Sequence, residues 1–265
     1  MGKKLEGKIA LITGASKGIG RGIAETYAKH GASLIVAARS SSEIEEFAGK
    51  LRADGYNALG IAMDVSNPES VKEGVKKALT QFETIDILVN NAGVCRLGNF
   101  LDLSDEDRDY HIDINLKGVW NVTKCVMPLM VKKNRGKIVI MSSVTGDMVA
   151  DPGEVAYAMT KAALVGFTKA LAVEAAKNNI NVNAICPGYI LTPMVQGMAK
   201  QSDSANPDSV INGVAGAIPF KRMGKPVEVG ELAAFLGSDE ASYITGTQIV
   251  IDGGSTLPES ASVGV

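Results

Sequence analysis

Short apolar runs rich in β-branched residues recur along the chain, each followed by a longer segment of helical period, and this alternation limits the fold most. Ile9-Ala10-Leu11-Ile12, Leu34-Ile35-Val36-Ala37 and Ile138-Val139-Ile140-Met141 are apolar at every position. A strand with one wet face alternates; one that is apolar throughout belongs in a parallel sheet covered on both faces. The expected strands are Lys8–Thr13, Ser33–Ala38, Asn57–Ala62, Ile85–Asn90, Lys137–Met141, Asn181–Ile185 and Thr247–Ile251. Helices are expected over Ile19–His30, Glu43–Asp54, Pro68–Glu83, Ser104–Lys132, Ala156–Asn178 and Val227–Gly237. Right-handed crossovers then give an α/β chain with a doubly wound parallel sheet and helices on both faces. With no Pro/Gly-rich linker and no internal repeat, residues 1–265 are expected to form a single domain.

Composition narrows the function classes. The chain is 46% apolar and 21% charged with a net charge of −2, which is globular and gives no basic patch for nucleic acid or an anionic membrane. No apolar stretch approaches the roughly 20 residues of a membrane helix. The basic Met1–Gly7 runs into a strand and is unlike a signal-peptide core, so a soluble, cytoplasmic protein is expected. Cys95, Cys125 and Cys186 have no ligand spacing and read as reduced thiols. His30 and His111 have no acidic or thiol partners in sequence, so neither a metal site nor a Ser-His-Asp triad is expected.

Thr13-Gly14-Ala15-Ser16-Lys17-Gly18-Ile19-Gly20 closes the first strand and opens the first helix. Gly14 suits a tight turn, while Gly18 and Gly20 let backbone approach a pyrophosphate at a helix N-terminus with free N–H groups. This is the chemistry of a dinucleotide site on a Rossmann-type sheet. The second strand ends in Arg39-Ser40 where a carboxylate would select a free ribose diol. Arg39, with Lys17 in the glycine loop, favours a 2′-phosphate and hence NADP(H), with NAD(H) as the second choice. Asp64-Val65 follows the third strand; Asp64 suits either an adenine amino group or a helix cap. Asn90-Asn91-Ala92-Gly93 follows the fourth, where amides can tie strand ends together and Gly93 admits a close ligand.

Tyr157 and Lys161 lie one helical turn apart, on one face, downstream of Ser143 at a strand end. An ammonium beside a phenol favours the phenolate and lowers the phenol pKa from about 10. Such a tyrosine can exchange a proton with an alcohol or carbonyl near neutral pH.

Together these motifs resemble the short-chain dehydrogenase/reductase family, over nearly the whole chain from Thr13 to about Gly254. The TGxxxGxG loop at Thr13–Gly20, NNAG at Asn90–Gly93, Asn115 in a long helix, Ser143 before a YxxxK at Tyr157 and Lys161, and Pro187-Gly188 with Thr192 fall in the family's order. The resemblance implies a seven-stranded parallel sheet and catalysis by Asn115, Ser143, Tyr157 and Lys161. It implies cofactor contacts from Gly14, Ser16, Lys17, Gly18, Ile19, Gly20, Arg39, Ser40, Asp64, Val65, Asn91, Ala92, Gly93, Tyr157, Lys161, Pro187, Gly188, Ile190 and Thr192, with no metal. It also implies a homotetramer, with a dimer second. Ser143 and Tyr157 are one residue further apart than is typical of the family; the extra residue is expected in Asp147–Pro152. Ser142 is expected to face away from the site.

Residues 189–226, with the polar stretch Lys200–Pro207, are expected to form a lid over the substrate. The expected wall comprises Val94, Cys95, Arg96, Val144, Thr145, Met148, Val149, Tyr189, Met194 and Met198. The leading expectation is NADPH-dependent reduction of a ketone or aldehyde; an alcohol dehydrogenase of the same fold comes second and a non-catalytic nucleotide-binding scaffold third. Substrate identity and direction are not legible.

Overall fold

The computed structural model describes residues 2–258. Strands β1 (Ile9–Thr13), β2 (Ser33–Ala38), β3 (Ala58–Ala62), β4 (Ile87–Asn90), β5 (Gly136–Met141), β6 (Ile180–Pro187) and β7 (Gln248–Ile251) form one parallel sheet. Its order is β3-β2-β1-β4-β5-β6-β7. The chain winds outward from β1 to one edge, then crosses to β4 and winds to the other. That reversal opens a crevice at the carboxyl ends of β1 and β4, where doubly wound sheets bind ligands.

Consecutive strand residues feed opposite layers, as a period of two requires. Ala10 and Ile12 of β1 pack with Ile23, Ala24 and Tyr27 of α1 (Gly18–Lys29), with Phe47 of α2 (Ser41–Ala53), and with Val229 and Ala233 of α9 (Pro226–Gly237). Leu11, between them, joins the other layer. There Val71 and Val75 of α3 (Pro68–Gln81) meet Val122 and Val126 of α5 (Gly118–Lys133) and Leu164 of α6 (Val155–Ala176). Each fully buried Leu, Ile or Val contributes on the order of 1.5–3 kcal/mol.

The helix ends follow local chemistry. Asn67 caps α3 by accepting from Glu69 N (2.9 Å) and Ser70 N (3.2 Å), with Pro68 in the first turn. Asn134 ends α5 in the left-handed conformation at φ 51°.

Two expectations fail locally. The single helix over Ser104–Lys132 is three pieces: α4 (Asp105–His111), a π-helical turn (Ile112–Lys117) and α5. Period alone does not register the widened turn, because the same apolar face continues through it. The stretch Lys200–Pro207 is less irregular than its polarity suggests. Lys200 to Ser202 belong to α7 (Pro193–Ser202), and Pro207 opens α8 (Pro207–Ala217). Asp203 Oδ1 accepts from Ala205 N and Asn206 N, both at 3.0 Å, and turns the chain between them. A parallel bridge between Ile190 and Gly224 closes the base of this excursion. After β7, Ser255 and Thr256 are held by the Asp252 carboxylate, and residues 259–265 lie outside the described residues.

Candidate active site

A cleft of about 830 Å³ runs across the carboxyl ends of the strands, from the β1–α1 loop to the β5–α6 loop, under α7 and α8. Its dinucleotide end is made of backbone. Gly14 sits at φ +63°, and a Cβ there would stand 2.8 Å from Ala92 Cα. Gly18 sits at φ +55°. Both conformations are costly for any residue with a Cβ. Thr13 Oγ1 accepts from Asn91 N (3.0 Å) and Ala92 N (3.1 Å). Asn91 Nδ2 returns the tie by donating to Thr13 O (2.9 Å) and Gly14 O (3.2 Å). The adjacent ends of β1 and β4 are thereby locked into a concave cradle at the start of α1. The glycines bring no side chain of their own into the cradle, which fits the diphosphate of a dinucleotide.

The cleft wall includes Ser16, Lys17, Ile19, Arg39, Ser40, Asp64, Val65, Asn91, Ala92, Gly93, Tyr157, Lys161, Pro187, Gly188, Ile190 and Thr192 besides Gly14 and Gly18. Gly20 is not in it; it is buried against the Asn91 side chain and lets α1 approach β4. Three polar groups have partners that sequence alone hides. The Lys17 ammonium lies 2.7 Å from Glu43 Oε1. Arg39 Nη1 donates to Tyr110 Oη at 3.3 Å. Asp64 Oδ1 accepts from Ser66 N (3.0 Å) and Ser66 Oγ (2.6 Å). Thr192 caps α7 by accepting from Val195 N at 3.4 Å.

The other end is made of side chains, with Ser143 and Lys161 buried and Tyr157 half-buried. Ser143 lies two residues beyond β5, and its Oγ accepts from Thr145 N at 3.1 Å. Ser142, expected to face away, also lines the cleft, but its Oγ is taken up in donating to Lys161 O at 2.8 Å. Tyr157 and Lys161 project from the first turns of α6 into the cleft. Lys161 Nζ donates to Met141 O at 2.8 Å and stands 5.5 Å from the Tyr157 ring centroid.

The expected direction of the phenol shift is reversed. Burial raises the Tyr157 pKa, and the Ser143 hydroxyl is the group that works against this. The same burial lowers Lys161 to about 8. Desolvation of the phenolate outweighs the ammonium here, because Lys161 is turned to the Met141 carbonyl and is itself costly to keep charged. Burial therefore favours the neutral phenol of Tyr157.

Asn115 is fully buried behind the wall, within the π-helical turn. Its Oδ1 accepts from Val94 N (2.9 Å), and its Nδ2 donates to Val94 O and Thr160 Oγ1, both at 3.0 Å. It braces the loop after β4 against α6, close to Lys161, since a Cβ on Gly93 would meet both Asn115 Oδ1 (3.4 Å) and Lys161 Nζ (3.5 Å).

Of the expected wall, Arg96 and Met148 drop out. Arg96 pairs with Asp107 and lies over the Tyr110 ring, 3.9 Å from its centroid. Met148 packs on Val144, Val165 and Cys186. His111 is structural: its Nε2 accepts from Arg96 N (3.0 Å) and its Nδ1 faces Asp107 O (2.7 Å). Cys95 lines the cleft, but burial pushes its thiol up to about 12, so it is no nucleophile. Among the described residues, no group of three or more His, Cys, Asp or Glu could hold a metal. No helix among them is long and apolar enough to cross a membrane.

Sequence reasoning missed Asp151 and Glu154, which line the cleft near Tyr157. Tyr189 Oη donates to Asp151 Oδ2 at 2.6 Å. A signal was present: Glu154 precedes Tyr157 by three residues, one turn earlier on the same face.

A family model described as enoyl-(acyl carrier protein) reductase matches residues 14–256. The chain is 62% identical to oxidoreductase UcpA of Escherichia coli K12, covering 99% of both chains. It is 40% identical to the 3-oxoacyl-[acyl-carrier-protein] reductase FabG of Thermotoga maritima, over 96% of this chain and 100% of that one. The crystal structure of a short-chain type dehydrogenase/reductase from Mycobacterium marinum superposes with a TM-score of 0.89 at 37% identity, covering 97% and 98% of the two chains. Agreement of this extent in sequence and in fold shows that the chain belongs to the short-chain dehydrogenase/reductase family and is an oxidoreductase of that type.

Proposed function

We propose that the protein is an NADPH-dependent carbonyl reductase acting on a ketone or aldehyde. The observation that carries this is the meeting of Ser143, Tyr157 and Lys161 at one end of a cleft whose other end is a glycine cradle. A nicotinamide bound there supplies hydride to the carbonyl carbon. Gly14, Ser16, Gly18 and Ile19 would hold the diphosphate, Asp64 and Val65 the adenine, Asn91 to Gly93 and Lys161 the inner ribose, and Pro187, Gly188, Ile190 and Thr192 the carboxamide. Tyr157 Oη gives its proton to the carbonyl oxygen. Ser143 Oγ donates a hydrogen bond to the same oxygen and stabilises its developing charge. Lys161 stands 5.5 Å from the Tyr157 ring centroid, and Asn115 beside it braces the loop at Val94 against α6. A phenol kept protonated by burial suits donation, which is the reducing direction.

Arg39, exposed at the end of β2, supports NADP(H) by pairing with a 2′-phosphate. The Lys17–Glu43 pair favours the second reading, NAD(H), because a carboxylate lies in the same wall. Residues 189–226 act as the lid: Met194 and Met198 of α7 face the cleft with the adaptable side chains a varied substrate needs. Three free thiols suit a reducing cytoplasm. Trp120, 57% exposed and 6.0 Å from the Phe167 ring, is an anchor for association through α5 and α6 into a homotetramer or dimer.

The test is a carbonyl and alcohol panel followed at 340 nm with both coenzymes, alongside binding titrations of Arg39→Ala. NADPH-dependent reduction is expected, with NADPH affinity falling roughly tenfold in the variant. Tighter NADH binding by the wild type moves the assignment to NAD(H). Loss of all carbonyl and alcohol turnover removes the enzymatic reading.

A further inference from the structure

Glu154 is buried, at 5% exposure, in the wall that holds Tyr157, Ser143, Thr145 and Tyr189. Its Oε2 is fully enclosed and has no hydrogen-bond partner. The side chain does not cap α6, although Glu154 occupies the cap position, so helix geometry does not account for its burial. Gln248 Oε1 is the other such atom among the described residues, but Gln248 lies outside the cleft wall and its amide is tied to Asp147. Buried polar atoms are almost always paired, so an unpaired oxygen beside the reacting centre points to a ligand donor.

We propose that Glu154 is a specificity residue: its carboxyl group, in the cleft wall, accepts a hydrogen bond from a substrate hydroxyl near the reacting carbonyl. The substrate class is then a neutral hydroxylated ketone or aldehyde. The inference deepens the reductase reading above and rests on it. It holds for either protonation state, since a carboxyl offers an acceptor oxygen in both. Burial raises the Glu154 pKa, as does Asp151, three residues earlier and also in the wall; a hydrogen bond with the Thr145 hydroxyl works the other way. Two carboxyl groups on one wall make this end hostile to a substrate carboxylate or phosphate, and Lys161 turns its ammonium to Met141 O. A site built to pair a substrate hydroxyl discriminates strongly against the analogue lacking it.

The experiment compares kcat/KM of the NADPH-supplemented enzyme for hydroxyacetone, acetone, aminoacetone and pyruvate. Hydroxyacetone is expected to exceed acetone by roughly tenfold or more, the worth of one net hydrogen bond. Glu154→Leu is expected to bring that ratio to about one, while Glu154→Gln, which keeps an acceptor oxygen, preserves most of it. Glu154→Ala replaces the leucine variant if the latter is insoluble. An undiminished ratio in Glu154→Leu overturns the proposal, as does a preference for pyruvate, or for aminoacetone, which would make the donor an ammonium. If none of the four is turned over, the reductase reading is in question, and binding decides the inference separately. A rise in melting temperature with hydroxyacetone in the wild type that is lost in the leucine variant supports it; equal shifts, or none in either, overturn it.

Discussion

The two ends of the cleft are built from opposite materials. At the β1–α1 end, glycine backbone and two strand-end ties form a cradle, and charges nearby already have partners, Lys17 in Glu43 and Arg39 in the Tyr110 hydroxyl. At the β5–α6 end stand titratable side chains, Lys161 and Glu154 buried and Tyr157 half-buried, with the tyrosine and glutamate pushed up and the lysine down by loss of water. A backbone cradle recognises a feature common to every dinucleotide. Buried titratable groups cost stability and so are kept where they act on one particular molecule.

That contrast can be broken from either side. The largest effect is expected at the buried end: Tyr157→Phe removes the proton donor and lowers kcat by roughly 10²–10⁴-fold while dinucleotide affinity changes little. Single-turnover rates at 340 nm beside a binding titration check this, and unchanged turnover removes the phenol from the reaction. At the backbone end the pattern should invert. Gly14→Ala forces a Cβ to within 2.8 Å of Ala92 Cα at a positive φ. A penalty of about 1–3 kcal/mol in stability is expected, with a matching loss of dinucleotide affinity. Denaturant midpoints and coenzyme Kd values measure both; an unaltered Kd would show that the cradle tolerates a side chain.

The smallest effect sharpens the comparison. The folded-state pKa of Lys161, about 8, lies below its ordinary 10.5, so the unfolded chain holds the extra proton between those values. Stability lost to Lys161 burial is thus greatest below pH 8 and is regained as pH rises towards 10.5. Lys161→Met should raise the melting temperature of the coenzyme-free protein near neutral pH, offset in part by the unpaired Met141 carbonyl, with at most roughly 3 kcal/mol at stake. The gain should shrink across that pH window. A pH-independent difference in melting temperature would mean the lysine carries no such penalty.

Much of this was legible in one dimension. Seven apolar runs, the glycine loop and the strand-end residues carry their meaning locally, through period, chirality and backbone freedom, and β1, β2 and β5 fall within a residue of their expected bounds. The π-helical turn at Asn115 was not legible, since it leaves the apolar pattern of its neighbours unchanged. Arg96 looked available until Asp107 and the Tyr110 ring, contributed by α4, claimed it. Glu154 was passed over because nothing in Pro152-Gly153-Glu154-Val155 says that its carboxyl is enclosed.

The sequence by itself determined the parallel sheet, the crevice at its switch point, and the candidate proton donor with its neighbours. Those follow from patterns repeated within a few residues. Only the tertiary structure decided which charges are spent on each other, that burial pushes the Tyr157 phenol up, and that one carboxyl oxygen of Glu154 is enclosed and unpaired. These depend on burial and on partners dozens of residues away, and the free energy of an ionisable group is set by the water it has lost rather than by its place in the chain.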